Sequence, residues 1–364
     1  MRVFLFILLV LFSRLCLAQN NDTLRKYLDK NFSFTTKSKM AYAAIVIPAN
    51  THWLLRAFYA DGSLLIESTY MDKKLATRDG PLTAYYAANA RALTGSFQNN
   101  QRVGTWRSWY KNGQLKDSGD IKNDKLTGTW ITWYENGRMA TRAHFTDEPG
   151  PITFMPGEAA NETSLLVFPP PISVKSGTWE TWSSNGNRKD SGNYVNDRKE
   201  GFWRSWYENG KPESEGAYNV EEKFVGDWTF YREDGTVSTK EKYSGNKLID
   251  LKCFDEKGSP AGTFCSIAKP PVLLGTPYDW KVFFETHLEW SKETMKKSRE
   301  GTITIRFFIG KDGKLTNHTL LNSPSEFVTK DIDKVISLMK DWSPAILHNR
   351  PFEYSFDYSV PFYP

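Results

Sequence analysis

A ten-residue aromatic motif that returns at a nearly constant interval constrains this chain more than any other feature. The segment 104–113 (GTWRSWYKNG) recurs as 128–137 (GTWITWYENG), a step of 24 residues. Further copies occupy 177–186 (GTWETWSSNG), 201–210 (GFWRSWYENG) and 226–235 (GDWTFYREDG). A fixed period of this length indicates a repeat architecture, in which each unit buries its apolar face against its neighbours.

Each copy is predicted to be a β-hairpin. Asn112-Gly113 separates two alternating runs, and Asn-Gly favours a two-residue type I′ turn because both central residues need a positive φ. We therefore expect strands at Thr105–Tyr110 and Gln114–Ile121. Asn123-Asp124 then supplies a turn into the next copy. Since a lone hairpin is marginal in water, successive hairpins must stack.

The repeated aromatic side chains divide between the two faces of a strand. Period-2 alternation places Trp106 and Tyr110 on one face and Trp109 on the other. Core packing is the plainer interpretation, since aromatic side chains dominate core burial. An aromatic strip that binds a peptide, glycan or lipid remains open. The tryptophans concerned are Trp106, Trp109, Trp130, Trp133, Trp179, Trp182, Trp203, Trp206 and Trp228.

The pattern G-x-W-x-x-W-Y-x-N-G, followed by a glycine and an aromatic residue (Gly192 and Tyr194, Gly216 and Tyr218), resembles MORN-type repeats. It is most similar to the variant in bacterial proteins labelled YwqK-like antitoxins. This resemblance implies a scaffold, because a fold of this kind does not specify a function.

The remaining segments suggest the domain order. Residues 1–18 have the positive start, apolar run and Cys16-Leu17-Ala18 end of a secretory signal peptide. Residues 19–55 form a lead-in, expected to begin as a short helix or coil, and 56–266 hold the repeats. Residues 147–176 carry a Pro-Pro-Pro run and interrupt the period, either as an inserted loop or as a ruined repeat.

Export shapes two further expectations. The mature protein is predicted to be soluble and exported, in the periplasm or at the outer membrane, with no spanning helix after cleavage. The full sequence has a net charge of +5, with charges of both signs mixed along the repeats and no basic run, which gives no support for nucleic-acid binding. Cys253 and Cys265 are the pair that remains after the leader, and in an exported protein they suggest a disulfide across a hairpin; two unpaired small side chains are the alternative.

A different pattern begins near residue 267. Helical spacing covers Trp280–Trp290, alternating strands cover Gly301–Ile309 and Leu315–Leu321, and an apolar stripe indicates a helix over Ser325–Met339. A last strand, Glu353–Phe362, alternates aromatic with polar residues. The predicted fold class is mainly β: an antiparallel β-hairpin repeat array, then a small α+β domain over 267–364.

This α-β-β-α-β order resembles the TonB C-terminal domain. The markers are Gly301, Asp312-Gly313, Trp342-x-Pro344-Ala345 and Pro351. The resemblance implies a periplasmic domain that binds outer-membrane receptors by adding a receptor segment to a sheet edge. The chain lacks the membrane helix and Pro-rich spacer of an energy transducer, so energy coupling is not implied. The predicted edge comprises Glu353, Tyr354, Ser355, Phe356, Asp357, Tyr358, Ser359 and Val360.

No catalytic or metal-binding grouping is apparent. The five histidines, His52, His144, His287, His318 and His348, have no ligand spacing, and nucleophile and nucleotide motifs are missing. We expect no enzyme activity, no cofactor and no metal. The leading hypothesis is a protein-binding module that engages an outer-membrane receptor in TonB-type transport. The alternatives are a structural envelope scaffold and an antitoxin-like binder without a transport role.

Overall fold

The computed structural model describes residues 23–30, 35–146, 174–262, 265–322 and 325–363. The predicted signal peptide therefore lies outside the described residues. Strands dominate, and β1–β17 form an antiparallel hairpin sheet that is followed by a small α+β region, which confirms the predicted fold class. The chain divides into two compact units, the first holding the described residues up to Gly210 together with Ala217–Lys223.

The first unit consists of hairpins in sequence order, each strand pairing antiparallel with the next from β1 to β13. Two 3-10 helices lie at Lys37–Lys39 and Ala87–Asn89. The strands are β1 (Leu24–Leu28), β2 (Tyr42–Ala49), β3 (His52–Phe58), β4 (Leu64–Tyr70), β5 (Arg78–Tyr85), β6 (Arg91–Gln98), β7 (Gln101–Trp109), β8 (Leu115–Lys122), β9 (Lys125–Trp133), β10 (Met139–Thr146), β11 (Val174–Trp182), β12 (Arg188–Val195) and β13 (Arg198–Trp206).

Strand β14 (Pro212–Tyr218) contributes residues to both units, and the second unit continues to the end of the described chain. Its strands are β15 (Phe224–Tyr231), β16 (Val237–Ser244), β17 (Lys247–Cys253), β18 (Ala268–Lys269), β19 (Val272–Leu273), β20 (Gly301–Ile309), β21 (Leu315–Asn322), β22 (Trp342–Ser343), β23 (Ala345–Leu347), β24 (Arg350–Phe352) and β25 (Tyr354–Phe362). Its helices are α1 (Trp280–His287), α2 (Lys292–Lys297) and α3 (Glu326–Ile336).

A two-residue turn is predicted at Asn112-Gly113, but the structure has it at the opposite end of the strands, at Asn123-Asp124. Gly113 has a φ of 85°, whereas Asn112 is not among the residues with positive φ, and Tyr110 N–H donates to Gln114 C=O at 2.8 Å. The Asn-Gly turn is thus a three-residue loop, and the predicted type I′ turn there is wrong. Asn123 and Asp124, with φ of 50° and 63°, have the signs of a type I′ turn.

Two other expectations are corrected. The polar start of the lead-in, expected as helix or coil, contains β1, which pairs with β2 from Leu24 to Leu28. Leu28 is buried in the core, so cross-strand pairing overrides the local preference. The predicted Pro-rich interruption ends earlier than residue 176, because β11 begins at Val174; its remainder, 147–173, lies outside the described residues.

Neighbouring hairpins are joined at both ends by hydrogen bonds that repeat along the array. At one end, the Tyr110 hydroxyl donates to the Trp133 carbonyl at 2.9 Å, and Tyr134 donates to Trp182 at 2.7 Å. At the other, the Asp197 carboxylate accepts from Lys175 N–H at 2.8 Å. Since β10 pairs directly with β11, the hairpins on either side of 147–173 are neighbours in the sheet.

The α+β part of the second unit has its own core. The sheet order is β21-β20-β25, all antiparallel. Helices α1 and α3 supply Phe284, Val328 and Ile332 to a buried cluster with Ile305 and Phe307 of β20. Each helix begins with a side-chain cap, Asp279 for α1 and Ser325 for α3, which satisfies a backbone N–H of the first turn.

Candidate functional site

The inner tryptophan row, Trp106, Trp130, Trp179 and Trp203, belongs to the core of the array. Trp106 and Trp203 are each 4% exposed, and Trp130 and Trp179 pack against the core cluster. In the second unit Trp228 is 3% exposed and takes the same position. The core interpretation therefore holds for this row.

A glycine in the preceding strand makes room for most of these indoles. A Cβ on Gly119 would lie 2.1 Å from Trp130 Cε3, and one on Gly192 would lie 2.1 Å from Trp203 Cδ2. Gly119 is also the cross-strand partner of Trp106. At these positions a Cβ would overlap the next indole, so the glycine has a steric reason there. After Asn136-Gly137 the equivalent position is Ala143, which lies opposite Trp179.

The outer tryptophan row, Trp109, Trp133, Trp182 and Trp206, lies on the opposite face of the same strands. These side chains are half-buried, and among the described residues they do not belong to the core cluster. They occupy alternate strands, β7, β9, β11 and β13, so neighbouring indoles are roughly 10 Å apart. The sequence left open whether the repeated tryptophans form a core or a binding strip. In the structure the inner row packs in the core, whereas the outer row is half-buried.

Arginines border the outer row. The guanidinium carbons of Arg142 and Arg188 lie 5.9 Å from the ring centroids of Trp182 and Trp206 respectively, within cation–π range. Both arginines also pair with Glu180, Arg142 Nε at 2.7 Å and Arg188 Nη2 at 3.1 Å. The Glu180 side chain is 8% exposed, whereas the two arginine side chains are about half exposed.

The predicted edge strand is an outer strand of its sheet. Residues Tyr354–Val360 lie in β25, which pairs with β20 along the length of both strands, and Glu353 immediately precedes it. The predicted alternation is present, with Val360 buried, Tyr354, Phe356 and Tyr358 half-buried, and Glu353, Ser355, Asp357 and Ser359 exposed.

Contacts on both faces hold β25 in place. The ring centroid of Trp280 in α1 lies 4.8 Å from Phe356 and 5.0 Å from Tyr358. The Tyr358 hydroxyl donates to Glu285, and burial, followed by this carboxylate, raises the pKa of Tyr358. On the exposed face Arg306 binds Asp357 through two hydrogen bonds of 2.7 and 2.9 Å, which lower the pKa of Asp357.

A buried cluster around Glu241 was missed by sequence reasoning. The Glu241 side chain of β16 accepts hydrogen bonds from Thr239 at 2.6 Å and from Tyr243 at 2.5 Å, and His348 Nδ1 lies 2.9 Å away. The His348 ring also stacks on Phe230 at 3.4 Å between centroids. Glu241 and His348 are 107 residues apart, so no local spacing could have paired them.

The two late cysteines lie beside this cluster. Cys253 and Cys265 form a disulfide with a Cα–Cα distance of 5.4 Å. The next carbonyls, of Ser266 and Ile267, accept from the backbone N–H groups of Asn349 and His348 at 2.8 and 2.6 Å. The cross-link therefore tethers the segment that holds the β23–β24 turn.

Within the described residues, no helix is long and apolar enough to cross a membrane. The same part of the chain contains no group of three or more His, Cys, Asp or Glu side chains arranged to hold a metal ion.

Comparison with known proteins agrees with the repeats. No curated protein matches the chain. The model of the MORN repeat variant matches residues 102–123, 126–147 and 199–219. These segments include the copies that start at Gly104, Gly128 and Gly201, and the first two correspond to the hairpins β7–β8 and β9–β10. The chain therefore carries the MORN repeat variant at three positions.

Proposed function

We propose that this protein is a non-enzymatic binding module of the cell envelope that engages an outer-membrane protein by strand addition at β25, in the manner of the TonB C-terminal domain. The MORN-type repeats serve as its scaffold, and such repeats often bind proteins. The leader sequence supports export, and the α-β-β-α-β order with its Asp312-Gly313 turn supports the TonB-like reading. The observation that carries the proposal is the outer position of β25 in its sheet.

Proline within β25 indicates which backbone groups are available to a partner. Pro361 lies opposite Thr302 of β20. Proline lacks an N–H, and strands accept it where that donor would face away from the neighbouring strand. Because backbone groups alternate sides along an antiparallel strand, the N–H groups of Ser359 and Asp357 face the same outer side. An added peptide would hydrogen-bond to these groups.

Preorganisation favours such pairing. β25 is paired with β20 and backed by Trp280, so little conformational entropy remains to be lost when a peptide binds. Most of the conformational entropy lost on binding is therefore that of the peptide, and main-chain hydrogen bonds provide most of the affinity.

The test uses the full-length exported protein and synthetic peptides from the N-terminal segments of outer-membrane receptors, with affinity measured by calorimetry. Ser359→Pro removes one outer donor, and Ser359→Ala is the matched control because it removes the same hydroxyl group, which lies 3.0 Å from Thr304 Oγ1, and leaves the N–H in place. We expect Ser359→Pro to bind roughly tenfold more weakly than Ser359→Ala.

Modified peptides provide a second control for backbone pairing. N-methylation of alternate peptide amides removes the donors that would face β25, and should abolish binding. Equal affinity for methylated and unmethylated peptides, or for Ser359→Pro and Ser359→Ala, would show that β25 is not the site.

A further inference from the structure

The outer tryptophan row has features that the strand-addition proposal does not use. Four half-buried indoles recur at equivalent positions of four hairpins in the first unit, Trp109, Trp133, Trp182 and Trp206. The row runs perpendicular to the strands, and from β7 to β13 it spans roughly 29 Å.

A depression adjoins the row. It has a volume of about 450 Å³ and lies across β9, β10 and β11, where Thr129, Arg142, His144, Thr178 and Glu180 line it. Thr129, His144 and Thr178 are exposed, so hydroxyl and imidazole groups are available beside the Arg142 guanidinium. Half-buried indoles beside short polar side chains combine an aromatic surface with hydrogen-bonding groups.

The charge beside the row is positive and fixed in place. Buried Glu180 binds both Arg142 and Arg188, which orients the two guanidinium groups while leaving about half of each side chain in solvent. Arg107 of β7 and Arg204 of β13 lie on the same face of the array as the outer row and are exposed. A guanidinium whose geometry is already set binds a carboxylate bidentately at a small entropic cost.

Translational repetition identifies the kind of partner. A row that presents the same ring every roughly 10 Å suits a polymer that presents the same group at each step. A polypeptide would need a matched sequence repeat, whereas a polysaccharide has identical units, and two sugar residues of an extended chain cover a comparable length. Sugar rings can stack on indole rings, and the arginines favour a polymer that carries an anionic group on its sugars.

We propose that the outer tryptophan row and the Arg142–Glu180–Arg188 cluster bind a linear acidic glycan. Sugar rings stack on the indoles, and uronate carboxylates bind Arg142 and Arg188. The hydroxyl groups of Thr129 and Thr178 take part in hydrogen bonds to the sugars. This site lies within the first unit and does not rest on strand addition at β25.

The probe is an octamer of α-1,4-linked galacturonate, titrated into the full-length protein and followed by tryptophan fluorescence and calorimetry. Its fully methyl-esterified form is the matched neutral probe, and the galacturonate dimer tests length. We expect the octamer to bind roughly 100-fold more tightly than the dimer, because linked units bind at high effective concentration. We expect the ester to bind at least roughly tenfold more weakly than the acid.

Variants locate the site. Trp182→Ala should weaken octamer binding roughly 3- to 10-fold, and Trp182→Phe should keep most of the affinity because it retains a ring. Arg142→Lys keeps the charge and loses the planar fork, so it should weaken binding of the acid and leave binding of the ester unchanged. Tyr278→Ala removes an exposed aromatic side chain of the second unit and should change nothing.

Four results would overturn the proposal: no binding of the octamer, equal binding of acid and ester, unchanged affinity in Trp182→Ala, or equal binding of poly-L-glutamate. The last would identify an acidic polypeptide as the occupant. Ser359→Pro leaves this face intact, so failure of strand addition and failure of glycan binding are distinguishable.

Discussion

The close approach of glycine and indole gives the sharpest test of how the repeats stack. In Gly119→Ala, the new methyl group would meet Trp130 at 2.1 Å, where real Cβ atoms do not occur. The nearest atoms belong to a large indole ring that is itself packed against the core. Relief therefore requires the ring or one of the two strands to move.

Two effects of opposite sign set the magnitude. Replacing glycine by alanine inside a strand would otherwise stabilise the fold by about 0.5–1 kcal/mol, because the unfolded chain loses freedom. Overpacking a filled site costs about 1–3 kcal/mol. We expect overpacking to dominate, with a net loss of about 1–2 kcal/mol in the free energy of unfolding, and the same in Gly192→Ala beside Trp203.

Urea unfolding followed by far-ultraviolet circular dichroism measures this change. Gly301→Ala is the matched control, since its φ is not in the left-handed range and no atom lies within 4 Å of its added Cβ. That variant should be neutral or slightly stabilised. Adding Trp130→Phe to Gly119→Ala should recover part of the loss as a favourable coupling energy.

If the free energy of unfolding of Gly119→Ala equals or exceeds that of wild type, as expected for Gly301→Ala, the inferred clash with Trp130 is wrong. Such a result would mean that the indole has room to shift, and that the glycine reflects something other than the approach of the next hairpin. Additivity of Gly119→Ala and Trp130→Phe would lead to the same conclusion.

Two predictions concern the second unit. Replacing Cys253 and Cys265 by serine should lower the free energy of unfolding by about 2–3 kcal/mol, because the unfolded chain regains the conformational freedom of the closed loop. Reducing the disulfide of the wild type should cause the same loss in urea titrations. Burial acts to raise the pKa of Glu241, but hydrogen bonds from His348, Thr239 and Tyr243 outweigh it and hold that pKa below its ordinary value of 4.5. A lowered pKa gives stability that is present above pH 4.5 and lost as the pH falls through the folded-state pKa. The difference in free energy of unfolding between wild type and Glu241→Gln should therefore shrink between pH 7 and pH 3. A constant difference would contradict the lowered pKa of Glu241.

The hairpin repeat could be predicted from sequence because its signals are local. Period-2 alternation and the 24-residue step located the strands to within a few residues, and the strand Gly301–Ile309 was predicted with its observed bounds. Turn geometry was harder. Asn-Gly has a strong two-residue preference, but the shift in register between Ser108 and Trp109 beside the loop requires a third loop residue.

Burial could not be predicted for the same residue type on the two faces. Trp106 and Trp109 both repeat with the period, and their spacing shows that they point in opposite directions. The sequence does not show which face receives the core, because that depends on strands as distant as β2 and β4, whose Val46 and Leu65 join the Trp106 cluster. Long-range packing also explains the missed Glu241–His348 pair.

The fixed period itself follows from three contacts that must be satisfied together. Most hairpins offer a glycine to the next indole, a tyrosine hydroxyl to the next carbonyl at one end, and an Asx carboxylate or amide to the previous hairpin at the other. Exceptions include Ala143 at the glycine position before Trp179 and Ser183 at the tyrosine position of the copy 177–186. An added or lost residue within a strand would move its side chains to the opposite face and break all three contacts. β10 pairs directly with β11, and the Tyr134–Trp182 hydrogen bond of 2.7 Å corresponds to the Tyr110–Trp133 hydrogen bond of 2.9 Å. Length variation in this array is therefore confined to connections between strands, whereas the strands that carry both tryptophan rows keep their register.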